Sequence, residues 1–277
     1  FTLDRAVARD KVARFALPHP EDYVLMLVRG AVRQGATHLW FQVDADDLWL
    51  EHDGRPFTRP DLEGLYDALL DESSRPAPGL RELAVALVTA QQLSLRYATV
   101  VSGEAGGDGI ALAQRPGEPE VLEPVTLEHR QNRVHLKRAL SSEVVSRQAA
   151  ALANSLPEQG LLQHRCRFAD VTITVNGAPL DRGPVGAHLK DLVDVEGDGV
   201  DGGVAGVTRD EVKPARAKVV RDGVWIDTIE LPGLRAGFEA IVVADALRTD
   251  LTGFQVVRDE AWDRVVKALA ATERQSE

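Results

Sequence analysis

The stretch Tyr23-Val24-Leu25-Met26-Leu27-Val28-Arg29-Gly30-Ala31-Val32 decides how the chain is read. Val24, Leu27, Val28, Ala31 and Val32 recur at intervals of three and four, which places them on one face of an α-helix. Pro20, Glu21 and Asp22 precede that face, and a proline with acids in the first turn suits the positive end of a helix. Gly35 ends it. Beyond Gly35 the period changes to two, so residues 38–43 and 47–51 read as strands joined by the acidic turn Asp44-Ala45-Asp46. His52-Asp53-Gly54-Arg55-Pro56 is a tight polar connection, and Thr58 is placed to cap a helix running through Leu70. The first third is therefore helix, hairpin, helix.

Outward from this block the pattern stays mixed. Residues 4–15 form a short polar helix-like stretch stopped by Pro18-His19-Pro20, and residues 71–78 form a loop rich in Ser and Pro. Gly79 leads into a helical pattern over 80–93. Strands are expected at 97–102, 110–114, 125–128 and 132–138, with a glycine turn at 103–109. The Pro/Glu-rich connection 115–124 separates two expected domains, 1–118 and 119–277. Ser141 or Ser142 caps a helix to about Ser155, and Pro157 marks its end. A strand over 168–175 meets Asn176-Gly177, a strong hairpin signal. Residues 218–230 hold two strands turned at Asp222-Gly223, 240–243 another, and 259–272 a closing helix. The expected class is α+β.

Composition excludes several function classes. The 277 residues carry 32 Lys+Arg against 43 Asp+Glu, a net charge of −11 that opposes general binding to nucleic acid or anionic membrane. The basic run from Arg130 to Arg138 alternates Arg133, His135 and Lys137 with Val134 and Leu136, which reads as a solvated strand face. Cys166, the single cysteine, can form no internal disulfide or thiolate zinc site; it reads as a buried cysteine, although Arg165 and Arg167 beside it would lower its pKa if exposed. In the acidic, glycine-rich segment 191–206, Asp194, Glu196, Asp198 and Gly199 fit the first, third, fifth and sixth positions of a calcium loop. Ala205 then stands where a bidentate Glu is needed, so a solvated loop is expected. No metal is expected, no apolar run approaches the length of a membrane span, and the expected compartment is the cytoplasm.

Several strings, in this order, resemble one family: the 90-kDa heat-shock chaperones of the GHKL superfamily of ATPases. Tyr23 to Val32 is similar to the family's first nucleotide-site helix. His52-Asp53-Gly54-Arg55-Pro56-Phe57-Thr58-Arg59-Pro60-Asp61-Leu62 is laid out like the loop whose Asp receives the adenine amino group. Gly79 to Val101 resembles the glycine-led helix and strand beside the phosphates, and Val125 to Arg138 the strand that closes the domain. Residues 245–251 and 257–260 are similar, more faintly, to the part of the middle domain that gives an arginine to ATP. The resemblance implies a Bergerat-type α/β sandwich followed by a smaller middle-domain-like α/β region. It also implies a nucleotide pocket that maps onto Met26, Gly30, His52, Asp53, Gly54, Phe57 and Gly79.

The departures from the family pattern are chemical. Hydrolysis there needs a glutamate on the first helix as base and an asparagine one turn later to hold magnesium; the matching positions are Met26 and Gly30. A thioether is no base and glycine offers no ligand. Arg33 puts a cation where the family has an acid, and His52 and Pro56 fall at the aspartate and a glycine position, although a slip of one residue restores Asp53. The phosphate glycines give way to Leu80-Arg81-Glu82-Leu83-Ala84-Val85-Ala86. The expected function is that of a chaperone-type scaffold acting as a protein-binding or regulatory module, with no catalytic residues and no required cofactor. The alternative is an ATP- or ADP-binding, weakly active ATPase, with Asp53 on adenine, Glu21 or Glu82 as base and Arg248 or Arg258 on the γ-phosphate. Since the family dimerises through elements that would follow residue 277, the expected state is a monomer or a module docked on another protein.

Overall fold

The computed structural model describes residues 13–70, 75–182, 185–209, 212–250 and 252–275. Most of the helix-like stretch expected over 4–15 and half of the loop at 71–78 lie outside them. The chain divides into two compact units. Phe1–His164 with Asp170–Leu180 forms the first, and Arg165–Ala169 with Asp181–Glu277 the second. Both combine sheet and helix, so the α+β class is correct.

The first unit is built on an eight-stranded sheet. Its strands are β1 His38–Val43, β2 Asp47–His52, β3 Leu95–Gly103, β4 Asp108–Gln114, β5 Val121–Thr126, β6 Gln131–Arg138, β7 Thr172–Val175 and β8 Ala178–Pro179. They lie in the order β5-β4-β3-β6-β2-β1-β7-β8. Neighbours are antiparallel except β1 and β7, which run parallel from His38 against Thr172 to Phe41 against Val175. Alternation sorts the faces of β1: His38, Trp40 and Gln42 are exposed while Leu39, Phe41 and Val43 are buried.

The helices are α1 Tyr23–Arg33, α2 Arg59–Glu63, α3 Asp67–Leu70, α4 Leu80–Ala90, α5 Ser142–Leu152 and α6 Pro157–Arg165. A 3₁₀ turn at Pro20–Asp22 leads into α1, and Gly35, at φ +76°, follows its end. Every residue from Tyr23 to Ala31 is buried, so α1 is enclosed on all sides and not only along its expected apolar face. Leu25 and Met26, off that stripe, are as buried as the rest. Thr58 and Asp61 form a reciprocal capping box on α2, but Gly64 breaks the expected single helix into α2 and α3.

Two expectations are corrected here. Residues 115–124 are not a boundary between domains: β4 and β5 pair antiparallel from Asp108 against Thr126 to Ala113 against Val121, so the division at 118/119 falls inside a hairpin. Pro157 also begins α6 in addition to following α5, because a proline in the first turn forfeits no helical hydrogen bond.

The second unit carries a five-stranded sheet of β9 Leu189–Asp194, β10 Gly202–Thr208, β11 Arg216–Arg221, β12 Val224–Glu230 and β13 Phe238–Val243, ordered β12-β11-β13-β10-β9. Phe168, Val220 and Ile241 form a core cluster in it, with Val204, Trp225 and Val243 against them. The helix α7, Glu260–Glu273, is capped by Asp259 through the amides of Ala261 and Trp262. Asp222 and Gly223 both take positive φ, as the expected tight turn requires. The expected loop over 191–206 is instead largely strand: β9 and β10 pair across it, and Ala205 is fully buried in β10. Among the described residues no helix is long and apolar enough to cross a membrane.

Candidate functional site

The residues singled out in the sequence come from four elements of the first unit: α1, the end of β2, the loop after it, and the start of α4. Two glycines bring the helices together. Gly79 holds φ +84°, and a Cβ built on it would lie 2.3 Å from the carbonyl oxygen of Gly30. A Cβ on Gly30 would in turn stand 3.3 Å from the Gly79 oxygen. The helices therefore touch backbone to backbone where the resemblance implies phosphates.

Gly30, His52, Phe57 and Gly79 do share one cavity, walled also by Leu27, Leu83, Val100 and Val134, but its volume is only about 20 Å³. That is room for one water, whereas sites for drug-sized ligands run to several hundred Å³. Phe57 is 7 % and Leu83 4 % exposed, so side chains occupy the space. Met26 is buried apart from that wall, with its sulfur 3.9 Å from Nη1 of Arg29.

Polar groups around the cavity satisfy one another. The Phe57 amide donates to Oγ of Ser102 at 2.7 Å, Ser102 donates to Oδ1 of Asn132 at 2.7 Å, and Nδ2 of Asn132 donates to the Gly54 carbonyl at 2.6 Å. The Gln34 side chain donates to the Arg55 carbonyl, and the Arg55 amide to the Gln34 carbonyl, both at 2.9 Å. With its hydroxyl accepting from the Phe57 amide and its proton on an amide oxygen, Ser102 is not hydrogen-bonded to a base that would activate it. Gln34 and Asn132 were not singled out in the sequence; for Asn132 the parity of β6, which turns it inward, was the available signal.

His52 is 9 % exposed, and burial pushes its pKa down to about 4, so the ring is neutral near pH 7. Its Nδ1 accepts the Gly54 amide at 3.2 Å. Asp53 faces a different way. Its carboxylate takes the Thr37 amide at 2.7 Å, the His38 amide at 2.9 Å and the Thr37 hydroxyl at 2.5 Å, tying the β2 exit to the start of β1. These donors outweigh partial burial and hold its pKa down to about 2. A carboxylate depressed in the folded state stabilises above its unfolded pKa near 4, and the benefit is lost as pH falls through about 2. Because the side chain is 39 % exposed, Asp53→Asn is expected to cost only about 1 kcal/mol at neutral pH. Urea midpoints of the two proteins should converge between about pH 4 and about pH 2; a gap that stays constant across that range would show that ionisation is not the source.

Most of the remaining candidates are engaged in pairs. Arg33 and Glu82 form an ion pair at 3.5 Å, which occupies the carboxylate considered as a base. In the second unit Arg248 pairs with Asp259 at 3.7 Å, and Arg258 is exposed. The basic stretch on β6 is matched by acids: Arg133 pairs with Glu51, His135 with Asp47 at 2.7 Å and Lys137 with Asp46 at 2.7 Å. Trp49 stacks on His135 with ring centres 3.4 Å apart. Cys166 is fully buried, as the sequence reading favoured, and burial pushes its thiol up to about 12, outweighing the opposing effect of Arg165. Arg165 is turned to the backbone instead, donating to the carbonyls of Trp225 and Ile226. No protein-family model and no curated protein matches the chain.

Proposed function

We propose that this chain is a protein-binding or regulatory module on a scaffold of the chaperone-type GHKL kind, without ATP hydrolysis. The observation that carries the reading is how little space is left in that cavity. The Gly30–Gly79 backbone contact and the side chains of Phe57 and Leu83 leave about 20 Å³ where a nucleotide would need an order of magnitude more. The chemical inventory supports it: the two positions that would supply base and magnesium ligand hold a thioether and a hydrogen atom, and Glu82 is engaged by Arg33. A fold kept without that chemistry is suited to presenting surface to another protein.

Titration calorimetry with ATP–magnesium or ADP at millimolar concentration is expected to give no binding heat, and phosphate release is expected to equal the blank. Restoring the acid and amide by Met26→Glu with Gly30→Asn should add no turnover, because a Gly30 side chain would already press on the Gly79 carbonyl at 3.3 Å. Saturable nucleotide binding, or turnover abolished by a further substitution at Asp53, would overturn the proposal in favour of a nucleotide-binding ATPase.

A further inference from the structure

The helix α5 turns an apolar stripe to solvent. Of the eight large apolar side chains exposed among the described residues, Leu140, Val145 and Leu152 belong to α5 or to its entrance. They are 87 %, 61 % and 91 % exposed, so most of their surface lies in water. Val145, the exposed Ala149 and Leu152 are spaced four and three apart, which aligns them along one side of the helix. Leu140 precedes the capping Ser141, a position that sits beside the fourth helical residue, here Val145. The buried Val144 and Arg147 occupy the inner side, so α5 is anchored through one face and presents aliphatic carbon on another.

Charge is missing from the same surface. Over residues 144–164 only Arg147 and Glu158 are charged, two of 21 positions in a chain that is 27 % charged. Both are buried and hydrogen-bonded to each other, so neither presents a free charge outside. Glu143, in the first turn, is paired with Arg138 at 3.1 Å. Exposed aliphatic side chains without charge are the composition of the centre of a protein interface. The charge of the whole chain points to what covers them. A second copy brings −11 against −11, and a face without free charge is where two such chains meet without setting carboxylate against carboxylate. The stripe is also complementary to itself about a two-fold axis. With α5 antiparallel to its copy, Val145 meets Leu152 at both ends and Ala149 meets Ala149 at the centre, where a small side chain lets the helices close.

We propose that the outer face of α5 is the interface of a symmetric dimer, formed with a second copy of this chain by antiparallel packing of the two α5 helices, in place of the monomer expected from the sequence. Three large side chains and an alanine per copy fall short of the roughly 800 Å² per partner of a standard interface, which puts the dimer in the weak, transient class. In sedimentation equilibrium of the full chain, the weight-average mass is expected to rise from one chain towards two with a Kd on the order of 100 μM. Leu152→Glu, at an exposed site and checked for folding by circular dichroism, should weaken the dimer about tenfold or more. Leu192→Glu adds the same charge at a half-exposed leucine of β9, in the second unit, and should leave the dimer as it is. Added salt should tighten the association, because it screens the repulsion between two chains of −11 and the contact has no ion pair to weaken. A chain that stays monomeric up to about 1 mM overturns the proposal. Dimerisation that Leu152→Glu leaves unchanged, that Leu192→Glu weakens equally, or that salt loosens overturns it as well, since the contact then lies elsewhere or rests on charge.

Discussion

Gly79→Ala is expected to destabilise the first unit by about 3 to 5 kcal/mol, whereas Gly35→Ala costs about 1 kcal/mol. Both glycines hold the left-handed conformation, at φ +84° and +76°, so both substitutions incur the strain of putting an L side chain there. They differ in surroundings. The new methyl carbon at Gly79 would fall 2.3 Å from the Gly30 oxygen and 3.0 Å from Cγ of Gln34, while at Gly35 nothing lies within 4 Å. A backbone carbonyl inside a buried helix cannot swing aside as a side-chain end can, so α1 and α4 must separate, and the packing around them separates too. Urea denaturation of the two variants tests this directly. Equal losses would mean that backbone strain is the whole effect and that the helix contact contributes nothing.

That contact is also where the legibility of the sequence ends. The period of α1 and the parity of β1, β2 and β6 are local properties, set by which face is buried, and they are readable residue by residue. Membership of a mixed α+β fold follows from them. Pairing across long distances is not local. β7 lies parallel to β1 through residues more than a hundred positions apart, and no feature of Thr172-Ile173-Thr174-Val175 names that partner. β5, expected at 125–128, starts four residues earlier at Val121 for a different reason. Pro119, Pro124, Glu118, Glu120 and Glu123 look like a linker, yet β5 is the edge of its sheet, where an unpaired side tolerates proline and charge is an advantage against stray pairing.

At the site, the sequence identified positions but not their state. Gly30, His52, Phe57 and Gly79 converge on one cavity, and only three-dimensional packing reveals that side chains leave about 20 Å³ of it. Asp53 shows the same limit: adjacent to His52 in sequence, it points to Thr37 and His38 because successive residues leaving a strand face opposite ways. The Ser102–Asn132 bond joins residues thirty apart, and its effect on the Gly54 carbonyl reaches a third segment. Such closed hydrogen-bond chains have no single-sequence signature.

Glu158→Gln is expected to cost about 3 to 5 kcal/mol, the largest effect of a single charge removal in the first unit. Glu158 sits in the first turn of α6, is 1 % exposed, and faces two guanidinium groups. Nη2 of Arg138 donates to Oε1 at 2.7 Å, and Nη2 of Arg147 reaches both oxygens, at 2.9 and 2.8 Å. Arg147 also donates through Nε to the Ala45 carbonyl at 2.9 Å, in the turn between β1 and β2, so one cluster ties α5 and α6 to β6 and to that turn. Burial, with the carboxylate beside it, raises the Tyr23 hydroxyl well above its ordinary pKa and keeps it neutral. Removing the carboxylate charge strips Arg147 of its acid and leaves Arg138 with only Glu143, 3.1 Å from its Nη1, in a space that gives both cations little water, since Arg138 and Arg147 are 6 % and 8 % exposed. The penalty is therefore the desolvation of under-compensated charge, Arg147 above all, more than the loss of favourable bonds. The cause can be separated from the loss of contact by Glu158→Leu combined with Arg138→Met and Arg147→Met, which removes all three charges at similar volume. The triple variant is expected to recover most of the stability lost by Glu158→Gln in urea unfolding. A triple variant less stable than the single one would mean that the hydrogen bonds, and not the buried charges, hold these helices on the sheet.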